Sequence, residues 1–113
     1  MSDKILVWIG ASFEELRDFP PEARRIAGYE LRRIQRGLTP TDWKPMSSVG
    51  LGVNEIRIHT RVEHRVIYVA KFEEAVYVLH AFGKRTRRTA KTDLDLAKQR
   101  FTALVDQRRR RRR

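Results

Sequence analysis

Three runs of strand-forming residues follow one another between positions 53 and 82 with almost nothing between them. Residues 53–61 place Ile56 and Ile58 on one face and Glu55, Arg57 and His59 on the other. Residues 63–72 read Glu-His-Arg-Val-Ile-Tyr-Val-Ala-Lys-Phe, and residues 75–82 read Ala-Val-Tyr-Val-Leu-His-Ala-Phe, both rich in β-branched and aromatic side chains. The joints, at residues 60–62 and at Glu73-Glu74, are short. A parallel connection needs a crossover of a dozen or more residues, so the three runs are expected to pair as an antiparallel meander. The rest of the chain has to be laid around that meander.

Upstream, Ile5, Val7 and Ile9 alternate with Leu6 and Trp8, which predicts a short strand covered on both faces. Ser12 with Glu15 three residues on has the spacing of a capping box, and a short helix to about Arg17 is stopped by Pro20-Pro21. Pro21 opens a second helix over residues 21–36. Ala23, Ile26, Ala27, Leu31 and Ile34 form its apolar stripe, Arg24, Arg25, Arg32, Arg33 and Arg36 lie mostly elsewhere, and Gly37 ends it. The two helices make a hairpin that must lay its apolar faces on a sheet. Residues 38–52 are rich in turn formers and predict a long loop, either functional or simply pinned to the core by Trp43 and Met46. A last helix is predicted over residues 92–107, capped by Thr92, with Asp93 and Asp95 at its positive end and a stripe of Leu94, Ala97, Phe101 and Leu104. The fold class is therefore α+β: strand, two-helix hairpin, antiparallel strand meander, C-terminal helix.

A chain of 113 residues builds one domain with one modest core, placed here at residues 1–107. The absence of cysteine excludes a disulfide framework and thiolate zinc sites. No apolar run reaches the length of a signal-peptide core or of a bilayer span, so a soluble cytoplasmic protein with no membrane partner is expected. The net charge is +11, and removing the six arginines of residues 108–113 still leaves +5. That tail is expected to repel itself and be disordered. The remaining excess makes polyanions the natural partners.

The densest charge lies in Phe82-Gly83-Lys84-Arg85-Thr86-Arg87-Arg88-Thr89-Ala90-Lys91, between the last strand and the last helix. Arginine forks pair bidentately with phosphate, lysine adds a mobile point charge, and Gly83 would admit a close backbone approach. Lys71, Arg85, Arg87, Arg88 and Lys91 are the candidates to hold RNA. Arg57 and Arg65, on adjacent strands, are either cross-strand ion pairs with Glu55 and Glu63 on a solvated face or partners of that loop. RNA cleavage requires a proton to leave a 2′-hydroxyl, charge on the phosphate to be neutralised, and the leaving 5′-oxygen to gain a proton. Lys84, crowded by cations, is the candidate base, and Arg57 and Arg65 the candidate phosphate ligands. Of the three histidines, His80 is the one nearest the loop in sequence and the candidate for proton transfer. No cluster of ligand spacing is present, so neither a metal nor a cofactor is expected.

The order of elements, together with three stretches, carries a family resemblance. The stretches are Gly50-Leu51-Gly52-Val53-Asn54-Glu55-Ile56-Arg57, His64-Arg65-Val66-Ile67-Tyr68, and the run from Val76-Tyr77-Val78-Leu79-His80 through Phe82-Gly83-Lys84-Arg85 to Thr89. With them the chain resembles the phage-associated HigB-like toxins of the RelE/ParE superfamily from about Leu6 to Arg100. The resemblance implies a RelE-like fold and the toxin of a type II toxin–antitoxin pair. It implies a ribosome-dependent endoribonuclease that cuts mRNA in the decoding site without metal, the 2′-hydroxyl attacking the adjacent phosphate. Arg57 and Arg65 match strand arginines associated with substrate phosphate, and Lys84 matches the basic position after the last strand. Arg85 stands where a second lysine is common, which keeps the charge but weakens a role as base. The implied partners are mRNA on the ribosome and a HigA-like helix-turn-helix antitoxin, which meets operator DNA on the toxin's behalf. Two alternatives remain open: a ParE-type toxin that inhibits gyrase, and a non-catalytic nucleic-acid-binding module.

Overall fold

The computed structural model describes residues 3–112. Its elements run β1 (Ile5–Trp8), α1 (Ser12–Arg17), α2 (Pro21–Gln35), β2 (Trp43–Pro45), β3 (Val53–His59), β4 (Glu63–Val69), β5 (Ala75–Lys84) and α3 (Lys91–Arg111). They form one five-stranded sheet in the order β1-β5-β4-β3-β2. The meander β3-β4-β5 is antiparallel as expected, and β1 joins β5 in parallel. The architecture is α+β, consistent with a RelE-like fold.

Strand alternation divides the sheet's side chains between two cores. On one face, Leu16, Phe19, Ala23, Ala27, Leu31 and Ile34 of the helix hairpin pack on Ile56, Ile58, Val66, Tyr68, Val76 and Val78. On the other, Ala97 and Leu104 of α3 pack with Val53, Ile67, Val69, Tyr77 and Leu79. Helix α3 lies chiefly over β5. The rest of β3 and β4 on that second face carries polar side chains: Glu55, Arg57, His59, Glu63 and Arg65.

Five local expectations change. Strand β1 is an edge strand, so Ile5 is 63% exposed rather than covered. Ser12 is not a cap; it lies inside α1 and its buried hydroxyl donates to Val78 O at 3.0 Å, which ties the helix to β5. The long loop contains a short strand, β2, on the outer edge of β3. Met46 is buried as expected, but Trp43 is 40% exposed; Glu30 takes over the anchoring, accepting from the Thr41 N–H and hydroxyl. Gly50 is required here, because a Cβ would stand 2.3 Å from the Phe101 ring of α3.

The fifth change concerns the arginine tail. Helix α3 begins at Lys91, with Ala90 rather than Thr92 in the cap position, and continues through Arg111. The terminal arginines expected to be disordered are thus helical up to Arg111, while Arg113 lies outside the described residues. Arginine is a good helix former, and cations at a helix C-terminus oppose the negative end of its dipole. Arg108 is further fixed by two hydrogen bonds to the Glu74 carboxylate, at 2.7 and 3.2 Å, and by stacking 3.7 Å above the Phe72 ring. These contacts outweigh the self-repulsion that a run of like charge implies.

Candidate nucleic-acid interface

The register of the meander sets polar side chains in rows across the face that α3 leaves open. His59, Glu63 and Lys84 are cross-strand neighbours in one row, and Arg57, Arg65 and Phe82 in the next. Lys44, Glu55, Ile67 and His80 follow in the third. A bulge keeps β5 in step. Ile67 pairs with His80 and Tyr68 with Val78, so Leu79 is an extra residue in β5. The bulge re-aims the strand, and His80, Phe82 and Lys84 face the same side as Leu79 and Tyr77.

At the centre of these rows Glu55 is fully buried and Arg65 is 3% exposed. Glu55 Oε1 stands 3.5 Å from Arg65 Nε and 4.0 Å from Lys44 Nζ. Arg65 also donates to Glu63 Oε1 at 3.1 Å and to its neighbour's carbonyl, His64 O, at 3.0 Å. The ion pairs with Glu55 lack hydrogen-bond geometry. Both Glu55 carboxylate oxygens, Arg57 Nε and Arg65 Nε are buried without a hydrogen-bond partner. Among the described residues, every buried side-chain polar atom of that kind belongs to this cluster. Unpaired buried polar groups are destabilising, and in native proteins they concentrate where function demands them.

Burial pushes the half-exposed Lys84 ammonium below the ordinary lysine value; Arg65 pushes it further the same way, Glu55 opposes, and Lys44 and Arg57 add to the depression. The structure therefore brings Lys84, Arg65 and Arg57 together, as the sequence predicts, and adds Lys44 and Glu55. Around them, Arg85, Arg87 and Arg88 are exposed on the loop. Lys44, Ser47, Ser48, Arg87, Arg88 and Thr89 line a shallow hollow of about 350 Å³. Gly83 is not required by space, since a Cβ would meet His64 at an ordinary 3.8 Å.

Three expected site residues stand apart. His80 is 4% exposed and held at both ring nitrogens, by Glu15 at 2.9 Å and Asp93 at 2.7 Å, with its ring stacked on Phe82. Glu15 is fixed in turn by Arg100, which donates to both of its oxygens. His80 is thus a joint between α1, β5 and α3. Lys71 lies beyond the other end of β4, donating to Leu51 O and resting over the Phe72 and Phe101 rings. Lys91 is exposed at the start of α3 and pairs with Asp95 at 2.9 Å.

At the corner of the rows, His59 bridges Asp42 and Glu63. The Asp42 hydrogen bond, and then that of Glu63, hold its imidazolium above the ordinary histidine value. Alternation along residues 55–59 placed His59 beside Arg57, but nothing in the sequence pairs it with Asp42. Tyr68 faces the helix hairpin, and burial pushes its hydroxyl up to about 12, away from any chemistry in the cluster.

The fold and this face define a small α+β protein that gathers a cluster of cations on one side of its sheet. Over residues 14–102 the chain matches the family described as phage-derived protein Gp49-like (DUF891), and it belongs to that family. The match spans every residue of the central cluster. The family is associated with toxin–antitoxin modules, with which a toxin nuclease is compatible. No curated protein matches the chain. No helix among the described residues is long and apolar enough to cross a membrane, and no three His, Asp or Glu side chains among them come together as metal ligands.

Proposed function

We propose that the chain is the toxin of a type II toxin–antitoxin pair and acts, in the manner of the HigB-like toxins it resembles, as an endoribonuclease on ribosome-bound mRNA. One observation carries the reading: Lys44, Arg57, Arg65 and Lys84 converge on an open sheet face around one buried carboxylate, with unpaired donors at its centre. Such a seat favours an anion whose charge grows during reaction, as that of a phosphate under attack does. Arg57 and Arg65 neutralise the phosphate oxygens. Lys84, its ammonium weakened by burial and neighbouring cations, takes the proton of the 2′-hydroxyl. The 2′-oxygen forms its bond to phosphorus as the bond to the 5′-oxygen breaks, and that oxygen leaves with a proton from water or from a cation of the basin. The products are a 2′,3′-cyclic phosphate and a 5′-hydroxyl, and the scheme needs no metal. Arg85, Arg87 and Arg88 hold the flanking RNA backbone.

The same reading makes a helix-turn-helix antitoxin the neutralising partner, operator DNA a target reached only through it, and the cytoplasm the place of action. Mapping mRNA ends on ribosomes after induction tests it. Wild type is expected to arrest growth and leave cut messages, and Lys84→Ala with Arg65→Ala to do neither. Intact arrest and cleavage in that double variant refutes the assignment. Intact mRNA with DNA-damage signalling in cells expressing the wild type would point instead to a gyrase-inhibiting toxin.

A further inference from the structure

Glu55 is the anomaly of the cluster. A carboxylate at full burial ordinarily accepts several hydrogen bonds, because desolvating it alone is very unfavourable. Here both oxygens accept none, although cations stand 3.5 and 4.0 Å away. A surface built only to attract phosphate would gain by omitting that negative charge. A surface that must hold several cations at close quarters needs it, since like charges on neighbouring strands otherwise splay apart. The rows show which cations are at stake. Lys44 is directly opposite Glu55 on β2, Arg57 is two residues along on the same face of β3, and Arg65 pairs with Arg57 from β4.

We propose that Glu55 is the positioning residue of the basin: its buried carboxylate gathers Lys44, Arg57, Arg65 and Lys84 into one phosphate seat without itself touching the reacting atoms. Its lack of hydrogen bonds leaves Arg57 Nε and Arg65 Nε uncommitted. Arg65 is anchored through Nη1 to Glu63 and the His64 carbonyl, while its Nε is aimed at Glu55 by charge alone and stays available to a phosphate oxygen. The charged groups facing Lys84 are Glu63 and Arg65 from β4, Glu55 and Arg57 from β3, Lys44 from β2, Arg85 from its own loop and Asp93 from α3. Of the carboxylates, Glu63 is shared with His59 and Arg65, and Asp93 with His80. Glu55 is the counter-charge left to the basin.

The inference rests on the basin's being an RNA phosphate seat, and the decisive experiment separates the two. Lysines of wild type and of Glu55→Gln are reductively methylated with ¹³C, the Lys84 signal is assigned with Lys84→Arg, and its titration is followed. Affinity for a short single-stranded RNA is measured on the same unmethylated proteins at fixed salt. Glu55→Gln raises the net charge by one, so electrostatics alone predicts tighter RNA binding. A positioning role predicts the reverse: about tenfold weaker binding, with Lys84 titrating at lower pH than in wild type. Tighter or equal RNA binding, or an unmoved Lys84, overturns the proposal. Should Glu55→Gln not fold, Glu55→Asp keeps the charge but withdraws it by one methylene; weaker RNA binding is then expected, and unchanged binding overturns the idea. If wild type binds no RNA, the RNA reading fails and the Lys84 titration alone judges Glu55.

Discussion

Two buried polar clusters share one face of the sheet and are built in opposite ways. In the first, Glu15, His80, Asp93 and Arg100 tie α1, β5 and α3 together, and both nitrogens of the imidazole are engaged. The Glu15 carboxylate takes both Arg100 nitrogens and the Ala81 N–H. In the second, on the neighbouring strands β3 and β4, Glu55 and Arg65 are buried, Arg57 is half-buried, and the three leave four atoms without partners. The first has the opposing charges and the geometry to close on itself. The second has an excess of cations and one carboxylate. A satisfied network rigidifies a fold; an unsatisfied one costs stability and is retained only where something else completes it.

The largest expected effects follow from that contrast, as a double dissociation. Arg100→Met leaves the half-buried Glu15 and the buried His80 with a broken network, and urea unfolding should show a loss of about 3 kcal/mol. The folded fraction should cut RNA as wild type does. Lys84→Met should move stability by no more than about 0.5 kcal/mol, because burial and neighbouring cations already disfavour its charge in the folded state. Its cleavage should fall about a hundredfold or more. The reverse pattern, a stable Arg100→Met with no activity and an unstable but active Lys84→Met, would dissolve the distinction between the clusters.

The contrast was only partly legible in the sequence. Alternation over residues 53–82 defined the meander and put Arg57 and Arg65 on one face, because a two-residue period survives wherever strands are regular. Lys84 followed from charge density at a strand end. Lys44 did not, since β2 is three residues long, ends on Pro45 and has no alternation of its own to read. Without Lys44 in register, Glu55 resembles any solvated partner of a strand arginine. His80 lies four residues before Lys84 near the end of β5, and the two share a face. The bulge at Leu79 that puts them there also places His80 beneath Asp93, and an insertion of one residue leaves no mark on composition or spacing. The network around it joins residues 65 and 85 positions apart, a separation no local pattern encodes.

A smaller effect sharpens the comparison from outside the sheet. Arg109, Arg110, Arg111 and Arg112 are exposed, so they add charge without geometry. Truncation after Arg108 keeps the Glu74 contact and removes five cations. RNA binding should weaken about tenfold at low salt, with a shallower slope of affinity against salt, because fewer counterions are released. Cleavage at saturating ribosomes should persist. If it vanished, the distinction between placed and unplaced charge would be wrong for this protein.

The smallest effect concerns a satisfied pair set at the surface. Arg108 and the Tyr77 hydroxyl, both donating to Glu74, hold its carboxyl down at about 2, against an ordinary 4.5. A carboxylate depressed in the folded state contributes stability that is full above the unfolded value and is lost as pH falls through the folded one. The difference in stability between wild type and Glu74→Gln should therefore be constant above about pH 5 and shrink between about 4.5 and 2. Glu74 is 43% exposed, so water screens the pair and the plateau should stay below about 1 kcal/mol. Good hydrogen-bond geometry is thus worth less here than around Glu15, where the same type of arginine–carboxylate contact is enclosed. A plateau as large as the Arg100→Met loss would mean that burial is not what separates these networks, and that the terminal turns of α3 belong to the stabilising framework rather than to its fringe.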